Sequence, residues 1–283
     1  MREIRILLDN IRFEHTIFAL PFSYLGMVLA ANGLPTLHQF IWITIAMASA
    51  RTLAMSLNRL IDRELDARNP RTLNRPLPRG MISPRAVFAI SFASFVVFEL
   101  AAWQLNTLCF ALSVPALVFL VAYHYAKRFT WATHWILGFT DGIAAAGGWV
   151  AVRASVAPLA LLLWFVVIVW MAGFDLIYAC QDVEVDRREG LYSVPSRFGI
   201  PTALTLARVN HAITVLALAA VGIVAGLGWV YWLGWLAVAA LLAYENAIVQ
   251  PNDLSRLNLA FFNVNGYISV LVFVSALLGL VHF

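Results

Sequence analysis

Five polar side chains recur at four-residue spacing in two separate stretches of the chain. Asn58, Asp62 and Asp66 form the first set, and Asp182 and Asp186 form the second. Residues four apart share one face of an α-helix, so each stretch presents its oxygen atoms along one line. We call these sets the first and the second acidic motif, and their four carboxylates are the candidate catalytic residues.

Carboxylates gathered at one depth repel one another unless cations lie between them. Mg²⁺ is commonly held by one or two carboxylates, while water and substrate phosphate complete its coordination shell. The sequence therefore predicts two Mg²⁺ ions that clamp a diphosphate. The expected metal ligands are the four carboxylates of the motifs: Asp62, Asp66, Asp182 and Asp186.

Basic residues accompany the motifs and suit the same anion. Arg68, Arg71, Arg75 and Arg79 follow the first motif, and Lys127, the only lysine, begins the stretch "KRFT". Cations paired with phosphate oxygens neutralise charge on a leaving group. The alternative for any single residue is a topology signal, a solvated ion pair or a contact with anionic lipid. Glu64, Glu184 and Glu189 lie off the motifs and are interpreted as solvated surface charges.

The composition indicates an integral membrane protein. Of the 283 residues 62% are hydrophobic and 12% are charged, with a mean hydropathy of +0.82. Soluble domains carry about 25% charged residues, and apolar runs of about 20 residues span a bilayer as helices. We expect one all-α domain over 1–283 with nine spans: 14–33, 37–60, 84–104, 107–125, 133–152, 156–181, 202–226, 229–249 and 259–281.

The distribution of basic residues predicts the orientation. With the N-terminus in the cytoplasm, every Lys and Arg except Arg51 and Arg153 lies on the cytoplasmic side, as the positive-inside rule requires. The C-terminus is then outside, and the loops 61–83 and 182–201 are cytoplasmic. This asymmetry accounts for the basic pI without a nucleic-acid partner.

Arg51, Asp141 and Asp175 are ionisable residues that fall within the predicted spans. Such groups are costly in a bilayer and usually mark a function or a partner. Arg51 and Asp175 differ in depth by about one helical turn, ~5–6 Å, so we expect them to pair, with Asp141 as the rival partner of Arg51. The pair either holds helices together or binds an acceptor substrate.

The motifs closely resemble those of the UbiA superfamily of intramembrane prenyltransferases. They read "NRLIDRELD", "NRPLPRG", "YHYAKRFT" and "DVEVD", and the resemblance extends from "RFEHTIFALPF" to "NVNGY". The first motif, with "DARNPRT", is most similar to the bacterial 4-hydroxybenzoate-type polyprenyltransferases, including those that serve menaquinone synthesis by the futalosine route.

The resemblance implies nine transmembrane helices around a central cavity, with a cytoplasmic cap formed by the 2–3 and 6–7 loops. It implies Mg²⁺-dependent ionisation of a polyprenyl diphosphate and attack by an aromatic acceptor such as 4-hydroxybenzoate, in the plasma or inner membrane. The metal ions and the diphosphate would be held by Asn58, Asp62, Asp66, Asp182 and Asp186, which makes Asn58 a fifth metal ligand. Arg75, Lys127 and Arg128 would bind the diphosphate. Arg51, Asp175 and Arg12 are the candidate acceptor-binding residues.

Other functions stay open. The acceptor could be a haem, a chlorophyllide or a sugar phosphate. A transporter or flippase of an anionic lipid is the alternative outside the enzymes, although transporter sites lie near the bilayer midplane and these motifs lie at span ends. The expected partners are the two substrates and membrane lipid, without nucleic acid or an obligate protein partner.

Overall fold

The computed structural model describes the backbone of residues 16–281 and the side chains of residues 20–281. Within that range the chain is helical, and its only β-type pairing is an isolated bridge between Gln250 and Asp253. The α-helices are α1 (Thr16–Ala31), α2 (Leu37–Ile61), α3 (Arg63–Arg68), α4 (Pro84–Leu105), α5 (Thr107–Ala122), α6 (Thr133–Arg153), α7 (Pro158–Ala179), α8 (Val183–Arg188), α9 (Val194–Phe198), α10 (Ile200–Val224), α11 (Trp229–Ile248) and α12 (Asn265–Gly279). Short 3₁₀ segments cover Tyr123–Arg128 and Cys180–Asp182, and a π-helical segment covers Leu259–Val264.

The helices confirm a multi-pass membrane protein. In the described part of the chain, seven helical segments are long and apolar enough to cross a membrane: Leu37–Ile61, Pro84–Leu105, Thr107–Arg128, Thr133–Arg153, Pro158–Arg188, Ile200–Val224 and Leu259–Gly279. Each of the nine predicted spans overlaps a helix, but α1 and α11 are not among these seven. Nine spans therefore stay a prediction.

Large apolar side chains cover the outer surface of the bundle. Phe88, Leu216 and Ile223 are each more than half exposed. A soluble protein buries most such side chains because their exposure to water is costly, whereas lipid is an apolar solvent for them. The surface is thus suited to a hydrocarbon environment.

Small residues let the central helices approach closely. A Cβ atom on Gly26 of α1 would collide with the backbone oxygen of Ala145 on α6, and one on Gly148 of α6 would collide with that of Ser23. Small residues at such crossings are typical of membrane bundles, where close backbone packing replaces the hydrophobic driving force. α6 packs in the same way on α7, whose Trp170 is fully buried.

The sequence specifies the starts of the helices through local caps. Thr36 and Gln39 form a reciprocal capping box at the start of α2, and Ser83 caps α4 ahead of Pro84. These bonds satisfy backbone N–H groups that have no partner in the first helical turn. α2 and α7 then carry the two acidic motifs at their far ends.

Candidate active site

Both acidic motifs lie where a long helix is interrupted. Asp62 separates α2 from α3 and has φ −98° and ψ 11°. Asp182 ends the 3₁₀ turn after α7 in nearly the same conformation, φ −102° and ψ 5°. The helix through the first motif is therefore interrupted at Asp62. The Asp62 N–H still donates to Asn58 O at 2.9 Å, and the Asp66 N–H to Asp62 O at 2.7 Å, which preserves the four-residue register.

The two motifs face each other across one polar cavity of about 210 Å³. The long-range arrangement of α2 with α7 brings together residues that are more than a hundred positions apart. The predicted site residues that line this cavity are Asn58, Asp62, Asp66, Arg75, Lys127, Arg128, Asp175, Asp182 and Asp186.

Asp66 lies at the buried end of the first motif. It accepts two hydrogen bonds from Arg75 Nη1, at 2.7 and 2.8 Å, and lies 3.4 Å from Arg59 Nη1. Asp66 and Arg59 are both almost fully buried. A buried carboxylate needs such cationic partners, because burial without them is strongly unfavourable.

Asp182 is held by residues of the loop that follows the first motif. Arg71 donates through Nε to Oδ1 at 3.0 Å and through Nη2 to Oδ2 at 2.7 Å, which is a bidentate pair. Asn69 donates to Oδ1 at 3.2 Å, and Arg71 also donates to the Tyr178 hydroxyl at 3.1 Å. This pair joins the loop after the first motif to the second motif.

Asp62 and Asp186 are the less tightly paired carboxylates. Asp62 accepts from Asn58 at 2.9 Å and from Arg128 Nη2 at 3.1 Å. Asp186 accepts from the Ser193 hydroxyl at 2.8 Å and lies 3.9 Å from Lys127 Nζ. Each carboxylate of the two motifs thus has its own cation in the described structure.

Burial dominates the titration of Asp62. It raises the pKa of the carboxyl from its ordinary value of 3.8 to about 6, because a charged group loses hydration there. The Arg128 guanidinium opposes this rise in pKa, and the neighbouring Asp66 carboxylate adds to it. Asp62 therefore needs a cation more than an exposed carboxylate does.

The predicted pair between Arg51 and Asp175 does not form. Asp175 Oδ2 instead lies 2.7 Å from His134 Nδ1 on α6, so α7 turns this carboxylate toward α6. Arg51 makes no ion pair among the described side chains, and its Nε has no hydrogen-bond partner there. It lines a second cavity together with Asp141, the rival that the sequence suggested. Arg12 lies outside the described residues.

This second cavity is apolar and has a volume of about 320 Å³. Its walls come from α1, α2, α4, α5, α6 and α7, and they carry mostly Ala, Leu, Ile, Val and Phe side chains. Tyr123 lines both cavities. A charged compartment and an apolar compartment thus share a wall at this residue.

The two loops after the motifs contact each other beside the polar cavity. Arg68 and Arg188 both donate to the Glu189 carboxylate, at 3.1 and 3.2 Å, and Arg188 also donates to the Arg68 backbone oxygen at 2.9 Å. The interpretation of Glu189 as a solvated surface charge is therefore wrong. It lines the cavity and links the loops.

Several residues of the site carry no clear signal in the sequence. His134 and Ser193 belong to neither motif, and Asn69 and Arg71 fall in a loop rich in arginine. Arg71 was one base among several, and nothing local distinguishes it. The spacing of Ser193 from Asp186 is seven residues, about two helical turns, but the chain between them is partly non-helical.

The donor set fits Mg²⁺. Within residues 20–281, no three His, Cys, Asp or Glu side chains converge as a ready-made metal site. Mg²⁺ does not require one, since it keeps several waters and takes one or two carboxylates plus phosphate oxygens. All five motif residues offer oxygen donors, which Mg²⁺ prefers to nitrogen or sulfur.

Comparisons with known proteins agree with this geometry. The chain matches the UbiA prenyltransferase family over residues 19–277. It is 36% identical over 256 residues to the 4-hydroxybenzoate octaprenyltransferase of Xanthomonas campestris pv. campestris (strain B100), covering 89% of this chain and 83% of that protein. It is 30% identical over 250 residues to the protein of the same name from Aliivibrio fischeri (strain ATCC 700601 / ES114), covering 88% and 87%.

Solved structures show the same architecture. The apo structure of a UbiA homolog from Aeropyrum pernix K1 superposes with a TM-score of 0.84 at 32% identity, covering 93% of this chain and 96% of that one. A UbiA homolog from Archaeoglobus fulgidus bound to DMAPP and Mg²⁺ gives 0.69 at 19% identity, covering 94% and 98%; this second likeness concerns the fold alone.

The family match covers most of the chain, and both acidic motifs line one cavity. The chain therefore belongs to the UbiA prenyltransferase family, and it is a prenyltransferase.

Proposed function

We propose that the protein transfers a polyprenyl group from polyprenyl diphosphate to 4-hydroxybenzoate or a similar aromatic acid, in quinone biosynthesis, with release of diphosphate. The observation that carries this proposal is the pair of adjoining cavities. One is lined by carboxylates and bases and suits a diphosphate with its metal ions, and the other is apolar and suits an isoprenoid chain. The two relatives named 4-hydroxybenzoate octaprenyltransferase support the choice of acceptor.

The acidic motifs would hold two Mg²⁺ ions. Asn58, Asp62 and Asp66 would serve one ion, and Asp182 and Asp186 the other. When bound, Mg²⁺ supplies positive charge that stabilises the diphosphate as a leaving group. The Archaeoglobus fulgidus homolog, which binds DMAPP and Mg²⁺, supports the assignment of the ion.

The bases of the polar cavity would change partners when the donor binds. Arg75 and Arg128 pair with Asp66 and Asp62, and Lys127 lies near Asp186. These side chains would leave the carboxylates and contact diphosphate oxygens instead. Arg75 suits this because its guanidinium can bind phosphate oxygens in a bidentate manner.

The apolar cavity would hold the prenyl chain next to its diphosphate. Loss of diphosphate leaves an allylic cation that water would quench, so an apolar wall protects it. Tyr123, at the shared boundary, would face the carbon at which the bond breaks. An electron-rich aromatic ring then attacks that carbon.

The acceptor would lie between the two cavities. Asp175 would contact its hydroxyl from the polar cavity, and Arg51 would contact its carboxylate from the apolar side. Arg12 is proposed as a third contact on the basis of the sequence alone.

The membrane arrangement completes the proposal. We infer nine spans around the cavities, formed by one domain over residues 1–283. The loops after α2 and α7 would cap the polar cavity on the cytoplasmic side of the plasma or inner membrane. The contacts of Arg68 and Arg188 with Glu189 support such a cap. The N-terminus would be cytoplasmic and the C-terminus outside, with no obligate protein partner.

Purified protein in detergent should test the reaction. With Mg²⁺, farnesyl diphosphate and 4-hydroxybenzoate we expect release of diphosphate and, by mass spectrometry, one prenylated acid. A panel of other aromatic acids, haem and a sugar phosphate identifies a different acceptor if one of these is prenylated faster. Absence of diphosphate release with every acceptor would refute the proposal and favour transport of an anionic lipid.

A further inference from the structure

Asp175 differs from the other carboxylates of the polar cavity in its partner. Each carboxylate of the two motifs lies between 2.7 and 3.9 Å from an Arg or Lys nitrogen. Asp175 has no Arg or Lys nitrogen at ion-pair distance among the described side chains, and His134 is its hydrogen-bond partner. Lys127 and Asp141 interact with Asp175 electrostatically, without a hydrogen bond or an ion pair.

The hydrogen bonds of His134 determine where its proton lies. The backbone N–H of Val194 donates to His134 Nε2 at 3.2 Å, so this nitrogen is an acceptor without a proton. The proton of the neutral ring is therefore on Nδ1, which donates to Asp175 Oδ2 at 2.7 Å. His134 is fully buried, and both of its nitrogens are engaged.

This arrangement leaves one oxygen of Asp175 available. Its side chain is 18% exposed and lines the polar cavity, and Oδ1 has no hydrogen-bond partner among the described residues. The hydrogen bond from His134 to Oδ2 fixes the orientation of the carboxylate. The Val194 N–H fixes His134 in turn, and Val194 follows Ser193, which donates to Asp186.

We propose that Asp175 is the proton acceptor for the hydroxyl of the aromatic acceptor, and that His134 is the positioning residue that aims its carboxylate. This deepens the proposed function and depends on it. The carboxylates of the two motifs pair with bases and are the proposed metal ligands, and Glu189 accepts hydrogen bonds from Arg68 and Arg188. Among the described carboxylates that line the cavity, Asp175 is therefore the one left to take a proton.

The proton and electron balance is complete without a further reactant. The C–O bond of the donor breaks, and diphosphate leaves with the electron pair. As the ring carbon beside the hydroxyl bonds to the allylic carbon, the hydroxyl proton passes to Asp175 Oδ1 and a neutral dienone forms. The ring carbon then loses its hydrogen to the diphosphate, and Asp175 returns its proton to the oxygen.

Asp175→Asn tests the proton transfer, because it keeps the shape and an acceptor for His134 but is not a base. With 4-hydroxybenzoate near neutral pH we expect kcat to fall about 100-fold or more, the usual contribution of a general base. With 3-fluoro-4-hydroxybenzoate at mildly alkaline pH the hydroxyl is already ionised and one ortho carbon is free. The loss relative to wild type under the same conditions should then shrink to less than about tenfold.

The matched control is Asp141→Asn, a second carboxylate within the bundle. Any loss of activity in that variant should be equal with the two acceptors. If Asp175→Asn loses the same factor with both acceptors, or keeps more than about a tenth of wild-type kcat, Asp175 is not the proton acceptor. If the wild-type protein prenylates no aromatic acid at all, the proposed function itself fails.

Two substitutions at His134 separate its two hydrogen bonds. His134→Asn places an amide N–H near the position of Nδ1 and retains the donor to Asp175, whereas His134→Gln retains only an acceptor for the Val194 N–H. We expect the Asn variant to keep kcat within about tenfold of wild type and the Gln variant to lose more, with donor KM unchanged in both. Equal losses in kcat would assign His134 to anchoring the loop and overturn its positioning role.

Discussion

Arg71→Ala should remove the bidentate link between the loop after the first acidic motif and Asp182 of the second motif. Arg71 makes two charge-assisted hydrogen bonds to Asp182, at 3.0 and 2.7 Å, and Asp182 is buried. Such bonds contribute about 1.5–3 kcal/mol each, and breaking a fully buried pair costs about 3–5 kcal/mol. Because the Arg71 side chain is 32% exposed, water recovers part of that loss. We expect the variant to be less stable by about 2 kcal/mol.

A double-mutant cycle with Asp182→Asn measures this link directly. Unfolding of the wild type, both single variants and the double variant is followed by circular dichroism during titration with SDS in mixed micelles. The double variant has no carboxylate at position 182 that lacks its cation, so it should be about as stable as Arg71→Ala or more so. The coupling free energy should be about 1.5–2 kcal/mol.

Arg63→Ala provides the control, since Arg63 is exposed and makes no ion pair with any described residue. Its effect should stay within about 0.5 kcal/mol. A coupling free energy below about 0.5 kcal/mol between Arg71 and Asp182 would mean that water satisfies Asp182 as well as the guanidinium does. The loop after the first motif would then be held by its other contacts.

Three further predictions concern the metal, pH and topology. Asp62→Ala or Asp182→Ala should abolish turnover, and EDTA should abolish that of the wild type reversibly. A tenfold loss of kcat corresponds to roughly 1.4 kcal/mol of barrier. If either variant keeps more than about a tenth of wild-type kcat, the metal clamp is wrong. Because the pKa of Asp62 is raised to about 6, protons should compete with Mg²⁺ below that pH. The Mg²⁺ Kd should therefore rise about tenfold per pH unit below 6 and level off above 7. Calorimetry should show this dependence in the wild type and a weaker one in Asp62→Asn. The same shift makes ionised Asp62 unfavourable to folding, so its contribution to the unfolding free energy falls as pH rises from 3.8 to about 6 and stays low above it. A reporter fused after Phe283 should lie outside the cell, and a cytoplasmic signal would mean an even number of spans.

Local patterns in the sequence were sufficient to predict the helices and the two acidic motifs. Apolar runs and caps such as Thr36 and Ser83 specify where helices begin, and four-residue spacing survives the break at Asp62. The break itself was not predictable from spacing. It involves a change in backbone conformation at one residue, and the same residue types are compatible with a continuous helix.

Long-range pairing could not be derived from spacing. The sequence identified Arg51 and Asp175 as costly charges in the bilayer, but the partner of Asp175 depends on how α6 and α7 rotate against each other. Close packing through glycines sets that rotation, for example at Gly138 against Ile168. The resulting bond joins Asp175 to His134, a residue that no motif contains. Arg71 was similarly one arginine among several until the loop geometry brought it to Asp182.

The four carboxylate–cation pairs of the polar cavity have a thermodynamic consequence. Each base must release its carboxylate before it can bind diphosphate. Binding of the donor would therefore free the carboxylates for the metal ions, and binding of the metal ions would free the bases for the diphosphate. Each ligand then lowers the dissociation constant of the other by the same factor, since linkage between two sites is reciprocal. Either ligand alone must disrupt these pairs without the compensating contacts of the other, so the protein should bind Mg²⁺ and donor as a cooperative unit and hold each weakly by itself.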